Sequence, residues 1–240
     1  MSSHNSVSNS LRRLSILSIA AVALTYGATR WGTAGHVPAT AAAFPEAAVD
    51  VRVASSSSEQ TAVFAGGCFW GMEGVFEHLK GVSEVVSGYA GGNAESAHYD
   101  EVSSGATSHA ESVKITYDPA QISYGELLKV YFAVAHDPTQ LNRQGPDRGT
   151  QYRSAIFFAN NEQKQVTQAY IAQLEQAQIF DHPIVTQLTP LDSFYAAEDY
   201  HQDFITRNPY NPYVVVHDLP QIAQLQAQFP ELYQEPESLS

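Results

Sequence analysis

One cysteine in 240 residues, Cys68, rules out an internal disulfide and a cysteine-rich metal site. Basic residues are also scarce: 12 Lys and Arg stand against 25 Asp and Glu. All the acidic residues follow Phe44, whereas Arg12, Arg13 and Arg30 are the only charges before it. An acidic body of this kind repels phosphate backbones and offers a membrane no polybasic patch, which argues against nucleic acid as a partner. The histidines do not cluster at ligand spacing. His78 falls on a helical pattern, and His201 lies in Glu198-Asp199-Tyr200-His201, where acidic neighbours suit a hydrogen-bonded structural network. No metal or other cofactor is expected.

The N-terminal segment has a different character. Residues 14–28 are apolar and uncharged and follow the Arg12-Arg13 pair. They fall short of the ~20 residues of a comfortable membrane span but suit the apolar region of a secretory signal. Small-residue sites follow at Ala39-Thr40-Ala41 and Ala41-Ala42-Ala43, far enough away that an uncleaved anchor fits as well. The paired arginines also admit a twin-arginine route. Residues 1–43 are therefore expected to direct export to a periplasmic or extracytoplasmic location, with a disordered extension of a cytoplasmic protein as the alternative. Residues 44–60, with Pro45 and the serines at 55–58, read as a linker.

From Thr61 the pattern becomes that of a folded domain. Residues 61–65 read as a buried strand, Gly66 and Gly67 as a tight turn, and Phe69, Met72, Val75, Phe76 and Leu79 recur at helical spacing to Lys80. Strands are expected over 82–90, 109–117, 152–159 and 184–188, with polar loops at 93–107 and 137–150. Helices are expected from Ser123, whose spacing to Glu126 makes a capping box, over 161–178, and around 196–206, with a last turn or two over 221–229. Strand, helix, strand, strand, helix, strand over 61–159 is the split βαβ order, so the fold class is α+β: a two-layer sandwich with a ferredoxin-like core, a mainly antiparallel mixed sheet and helices packed on it.

Cys68 sits where the first strand gives way to the first helix. Unpaired N–H groups and the positive end of the helix dipole favour thiolate there, although a lone cysteine is equally a small buried hydrophobe. A nucleophilic thiolate needs a proton partner. Glu111 lies in an alternating strand and is read with its polar side, a solvated position; in an apolar pocket it would instead be a proton donor near neutral pH. Tyr99, Tyr152 and Asp147 lie near loop junctions, where a tyrosine hydroxyl can donate to a developing oxyanion or simply pack. Phe69 and Trp70 would wall the sulfur or pack the helix start.

Seven motifs, in order, carry a resemblance: Gly67-Cys68-Phe69-Trp70-Gly71, Gly88-Tyr89-Ala90-Gly91-Gly92, His109-Ala110-Glu111, Tyr117-Asp118-Pro119, His136-Asp137-Pro138, the run from Arg143 through Asp147 and Tyr152 to Ser154, and Ala197-Glu198-Asp199-Tyr200-His201-Gln202. Over residues 61–212 the chain resembles the A-type peptide methionine sulfoxide reductases, which leaves 213–240 as a C-terminal tail. The resemblance implies an α+β sandwich and a reductase of methionine-S-sulfoxide, free or in proteins, that repairs oxidative damage. It implies Cys68 as the nucleophile, Glu111 as the proton donor, Tyr99 and Tyr152 as hydrogen-bond donors to the sulfoxide oxygen, and Asp147 as an ordering residue. Phe69 and Trp70 would hold the S-methyl group.

Two features depart from the pattern. Many members recycle the resulting sulfenic acid with further cysteines, yet the loop position is Ser103 and the tail holds none. A one-Cys enzyme is therefore expected, acting as a monomer and regenerated by an external thiol such as thioredoxin or glutathione with glutaredoxin. Ser108 replaces the usual glycine before His109. A thiol peroxidase and a redox-sensing binding module are the competing readings.

Overall fold

The computed structural model describes residues 44–51 and 58–236. The expected export segment and its cleavage sites lie outside the described residues. No helix among the described residues is long and apolar enough to cross a membrane.

Residues 62–65 are uncharged, and both faces of the strand they form are buried. This strand, β1 (Gln60–Gly66), pairs antiparallel with β3 (Ala110–Tyr117) on one side and β6 (Ser154–Phe158) on the other. Outside β3 lies β2 (Val82–Ala90), and outside that the edge strand β8 (Phe194–Ala196); outside β6 lies β7 (Gln187–Pro190), the one parallel neighbour. The six-stranded order β7-β6-β1-β3-β2-β8 makes a mixed, mainly antiparallel sheet in an α+β fold. A two-stranded ribbon, β4 (Arg143–Gln144) with β5 (Asp147–Arg148), stands apart from it.

The helices cover one face. α1 (Phe69–Glu77) follows β1, and the short α2 (Tyr99–Ser103) precedes β3. α3 (Tyr124–Val130) begins with the expected capping box: the Glu126 N–H donates to Ser123 Oγ at 3.1 Å and the Ser123 N–H donates to Glu126 Oε2 at 2.8 Å. It runs on as a π-helical turn over 131–135. α4 (Asn161–Gln176) is capped by Asn160, whose Oδ1 accepts the Gln163 N–H at 2.9 Å. α5 (Phe204–Arg207) and α6 (Leu219–Gln228) complete the α-helices among the described residues. Beneath them Phe64 meets Phe76, Tyr124 and Tyr131 at ring separations of 5.7, 6.0 and 5.0 Å. On the opposite face Val63, Ala65, Ala110, Ala155 and Phe157 form a second, smaller core.

Several expectations need correction. Residues 44–51 are no linker: Phe44 is only 5% exposed, Tyr170 Oη donates to the Pro45 carbonyl at 2.9 Å, and Asp50 Oδ1 accepts the Gly125 N–H at 2.9 Å. An ion pair between Lys129 and Glu46 adds to this docking on α3 and α4. Residues 213–236 are more than a tail: the last helix expected over 221–229 forms as α6, Leu225 within it and Phe229 just after it are buried, and the Lys80 N–H donates to the Leu232 carbonyl at 2.8 Å. The helix expected around 196–206 is broken. Gln202 is held by its own side chain, with Nε2 donating to the Ser87 and Ala197 carbonyls, and Asp203 turns left-handed at φ 51°. Tyr152 lies in a 3₁₀ turn that precedes its strand.

Glu111 is the correction with chemical consequences. It shares the parity of Val113, Ile115 and Tyr117, which are fully buried under the helices, while Ser112, Lys114 and Thr116 occupy the other face. Its cross-strand partner on β2 is the buried Tyr89.

Candidate functional site

β1 hands the chain to α1 through Gly66-Gly67-Cys68. Gly67 adopts φ +106°, and a Cβ there would fall 2.6 Å from Gln144 Cγ, so a side chain would block this turn. Cys68 is thereby placed immediately before the first turn of α1, half-buried. The Trp70 backbone N–H donates to its sulfur, and this favours thiolate in the way the helix start led one to expect. Burial outweighs it. Together with the Glu111 and Asp218 carboxyls, it pushes the Cys68 thiol well above its ordinary range, so the sulfur rests as S–H.

Glu111 approaches from β3. It is 2% exposed, and its Oε2 accepts the Phe69 N–H at 3.1 Å. That hydrogen bond favours the carboxylate, but burial dominates and Asp147 adds to it, raising the pKa to about 8. Glu111 is therefore buried rather than solvated and carries a proton at neutral pH, as a proton donor would need.

Cys68, Phe69, Trp70, Tyr99, Glu111, Asp147 and Tyr152 all line one cavity of ≈ 210 Å³. The structure thus brings together every residue nominated from the sequence. Burial and the Glu111 charge raise Tyr99 to about 12 and push Tyr152 up further, so both phenols are donors at neutral pH. Trp70 forms the apolar wall. Its indole stacks on Phe204 at 3.6 Å between ring centres, meets Tyr213 edge-on at 5.9 Å, and donates from Nε1 to His201 Nδ1 at 3.1 Å. Phe69 packs between Tyr89 and His201 at 5.9 and 5.0 Å. The arrangement offers hydroxyl and carboxyl donors on one side and aromatic surface on the other, with a thiol between them.

Sequence reasoning missed the residues that brace this cavity. Tyr213 lines it and donates a short hydrogen bond to Asp147. Glu198 accepts the Tyr89 hydroxyl at 2.9 Å and the Tyr99 N–H at 3.0 Å, which ties β2, α2 and the 197–202 motif together. Burial lowers the pKa of His201, leaving it neutral and able to accept from the Trp70 indole. The acidic neighbours of His201 signalled a hydrogen-bonded network; nothing in the sequence signalled Tyr213, which reaches Asp147 from 66 residues away. Ser108 is exposed and lies outside the left-handed region, so its side chain costs the backbone nothing.

Comparison with known proteins gives a consistent picture. A family model described as peptide methionine sulfoxide reductase matches residues 60–233. A peptide methionine sulfoxide reductase MsrA 2 of Synechocystis sp. is 58% identical over 187 residues, covering 77% of this chain and 87% of that protein. The protein of the same description from Mesorhizobium japonicum is 58% identical over 187 residues, covering 78% of this chain and 95% of its own length. Among solved structures, reduced Mxr1 from Saccharomyces cerevisiae aligns with a TM-score of 0.59 at 31% identity, over 67% of this chain and 91% of that one. Methionine sulfoxide reductase A of Corynebacterium diphtheriae gives 0.55 at 37% identity, over 66% and 80%.

Proposed function

Since the chain belongs to the peptide methionine sulfoxide reductase family, we propose that Cys68 is the nucleophile and oxygen acceptor of its reaction and that Glu111 moves the protons. The enzyme is an oxidoreductase that reduces methionine-S-sulfoxide to methionine and so repairs oxidised proteins. In this reading the substrate's oxygen faces Tyr99, Tyr152 and Glu111, and its S-methyl group faces Phe69 and Trp70. Glu111 donates its proton to the oxygen, which makes the sulfoxide sulfur electrophilic. The Cys68 sulfur attacks, its own proton passes to the Glu111 carboxylate, and the oxygen leaves with the cysteine. The products are methionine and a Cys68 sulfenic acid, with every atom and proton accounted for.

The observation that carries this reading is the single cavity shared by a thiol, a proton-bearing buried carboxyl, two phenol donors and an aromatic wall. Methyl and oxygen face different walls, which supports selection of one sulfur epimer. Asp147, held by Tyr213, orders the donor side. With no second cysteine among the 240 residues, the sulfenic acid waits for an external thiol, a thioredoxin or glutathione with glutaredoxin. Export remains part of the proposal on the strength of the residues 12–43 pattern, and fractionation of cells expressing the full chain tests it.

Steady-state turnover of separated S and R epimers of a methionine sulfoxide peptide, with dithiothreitol, tests the assignment. Turnover of the S epimer alone, lost in Cys68→Ser, is expected. Comparable turnover in Cys68→Ser would sink it.

A further inference from the structure

Cys68 has a second opening. A separate cleft of ≈ 90 Å³ is lined by Gln144, Pro146, His217, Asp218 and Gln221, and it shares only Cys68 and Tyr213 with the cavity described above. Cys68 and Tyr213 therefore border both spaces. The volume suits the thiol end of one side chain, since a water in the liquid takes about 30 Å³.

Asp218 is the unexplained residue of this cleft. It lies where a π-helical turn over Val214–Asp218 runs into α6, it is only 3% exposed, and its Oδ2 has no hydrogen-bond partner among the described residues. Burying an unpartnered carboxyl oxygen is costly, and structural needs of the helix do not account for it. α1 makes room for it. A Cβ on Gly71 would fall 2.8 Å from Asp218 Oδ1 and 2.6 Å from Gln221 Oε1, so the second glycine of the Gly67-Cys68-Phe69-Trp70-Gly71 motif is what lets these polar groups approach the start of α1. Asp218 also acts on the Cys68 sulfur electrostatically.

We propose that this cleft is the entry for the reducing thiol and that Asp218 is the base that takes its proton; the inference rests on the Cys68 reading above. Displacement at a divalent sulfur is collinear. The hydroxyl of the sulfenic acid lies in the substrate cavity, where Glu111 can protonate it, so the incoming sulfur must arrive from the other face. The step reads RSH + Cys68–S–OH → RS–S–Cys68 + H₂O. An S–S bond forms and the S–O bond breaks, the thiol is oxidised and the sulfenic sulfur reduced, the thiol's proton goes to Asp218, and the hydroxyl leaves with the Glu111 proton. A second thiol then releases Cys68 as S–H. Asp147, Cys68 and Tyr213 are the groups coupled to Asp218, and His217 is its neighbour in the cleft. Burial first, and Asp147 second, raise Asp218 to about 7, which is suited to accepting a proton from a thiol.

Sequential mixing separates the two half-reactions. The chain is first converted with one equivalent of methionine-S-sulfoxide, then mixed with dithiothreitol, glutathione or a dithiol protein, and both steps are followed by rapid quench and mass spectrometry. Asp218→Asn is expected to slow thiol attack at least tenfold relative to sulfoxide reduction, and Asp218→Glu to recover part of that loss. The wild-type attack rate should rise as pH passes through about 7, where Asp218 becomes a base, and this rise should vanish in Asp218→Asn. A loss confined to glutathione or to the dithiol protein would identify which thiol source uses the cleft. Equal slowing of both steps, no slowing, or a loss found in His217→Gln instead would overturn the proposal. Absence of methionine from the wild-type first step would sink the Cys68 reading itself.

Discussion

The proton inventory around Cys68 decides how the site works. Glu111 at about 8 and Asp218 at about 7 stand beside a thiol that is itself pushed up, and His201 is held neutral. No lysine or arginine lines the cavity among the described residues. The thiol and Glu111 are therefore both neutral at neutral pH, beside Asp147, and in the proposed reaction reactivity comes from proton transfer once a sulfoxide oxygen accepts from Glu111. Glu111→Gln is expected to slow single-turnover methionine formation by about 10²–10⁴-fold. The wild-type rate should hold up to neutral pH and fall as pH passes about 8, where Glu111 loses its proton, and the variant should lack that falling limb in a stopped-flow pH series. Every nominated residue of the cavity was legible in the sequence, because the motifs are local. Its electrostatics were not. The thiolate expected at a helix start is a local effect, whereas burial and the approach of Glu111 and Asp218 depend on β3 and α6, which the chain brings in from far away.

At the scale of elements, α1 carries chemistry at its first turn and tension along its length. Glu73 is 2% exposed, and burial, aided by neighbouring Glu77, raises it to about 8; Glu77 itself rises to about 7 through burial and Asp203. These groups lie between α1, β2 and the turn before α5, whose Phe204 backs the Trp70 wall. Their folded-state pKa values lie above the ordinary carboxyl value of 4.5, so their contribution to stability is complete below that value and is lost as pH rises through 7 to 8. Thermal unfolding should accordingly show a lower Tm at pH 8.5 than at pH 5. Glu73→Gln should recover about 5–10 °C at pH 8.5, or ~2–3 kcal/mol, and much less at pH 5. A variant whose Tm falls equally at both values would contradict the assignment. Element boundaries were legible where a cap or an alternation marked them, as at Ser123 and through β1. They were not where a distant partner overrode local preference. Gln202 reaching Ser87 breaks the helix expected around 196–206, and Glu111 pairs with Tyr89 although its charge suggests solvent.

For the whole molecule, the order of strands and helices over 61–159 gave the α+β class, since that order leaves few ways to pair the strands. The margins were misread for a compositional reason. Pro45 and the glutamine-rich stretch after Asp218 suggest a linker and a tail, yet single apolar side chains at Phe44, Leu225 and Phe229 anchor these segments into the core. Those margins matter to function, because 213–221 supplies Tyr213 to one opening of Cys68 and Asp218 to the other. Under the proposed Cys68 chemistry the chain would be a one-thiol device that takes a single oxygen and then stops until it is reduced from outside. A single turnover of the full chain with excess methionine-S-sulfoxide and no reductant tests this most directly, by counting methionine and weighing the protein. One methionine per chain, with one oxygen added at Cys68, is the predicted result. Methionine beyond one equivalent, or methionine formed while Cys68 stays unmodified, would contradict it.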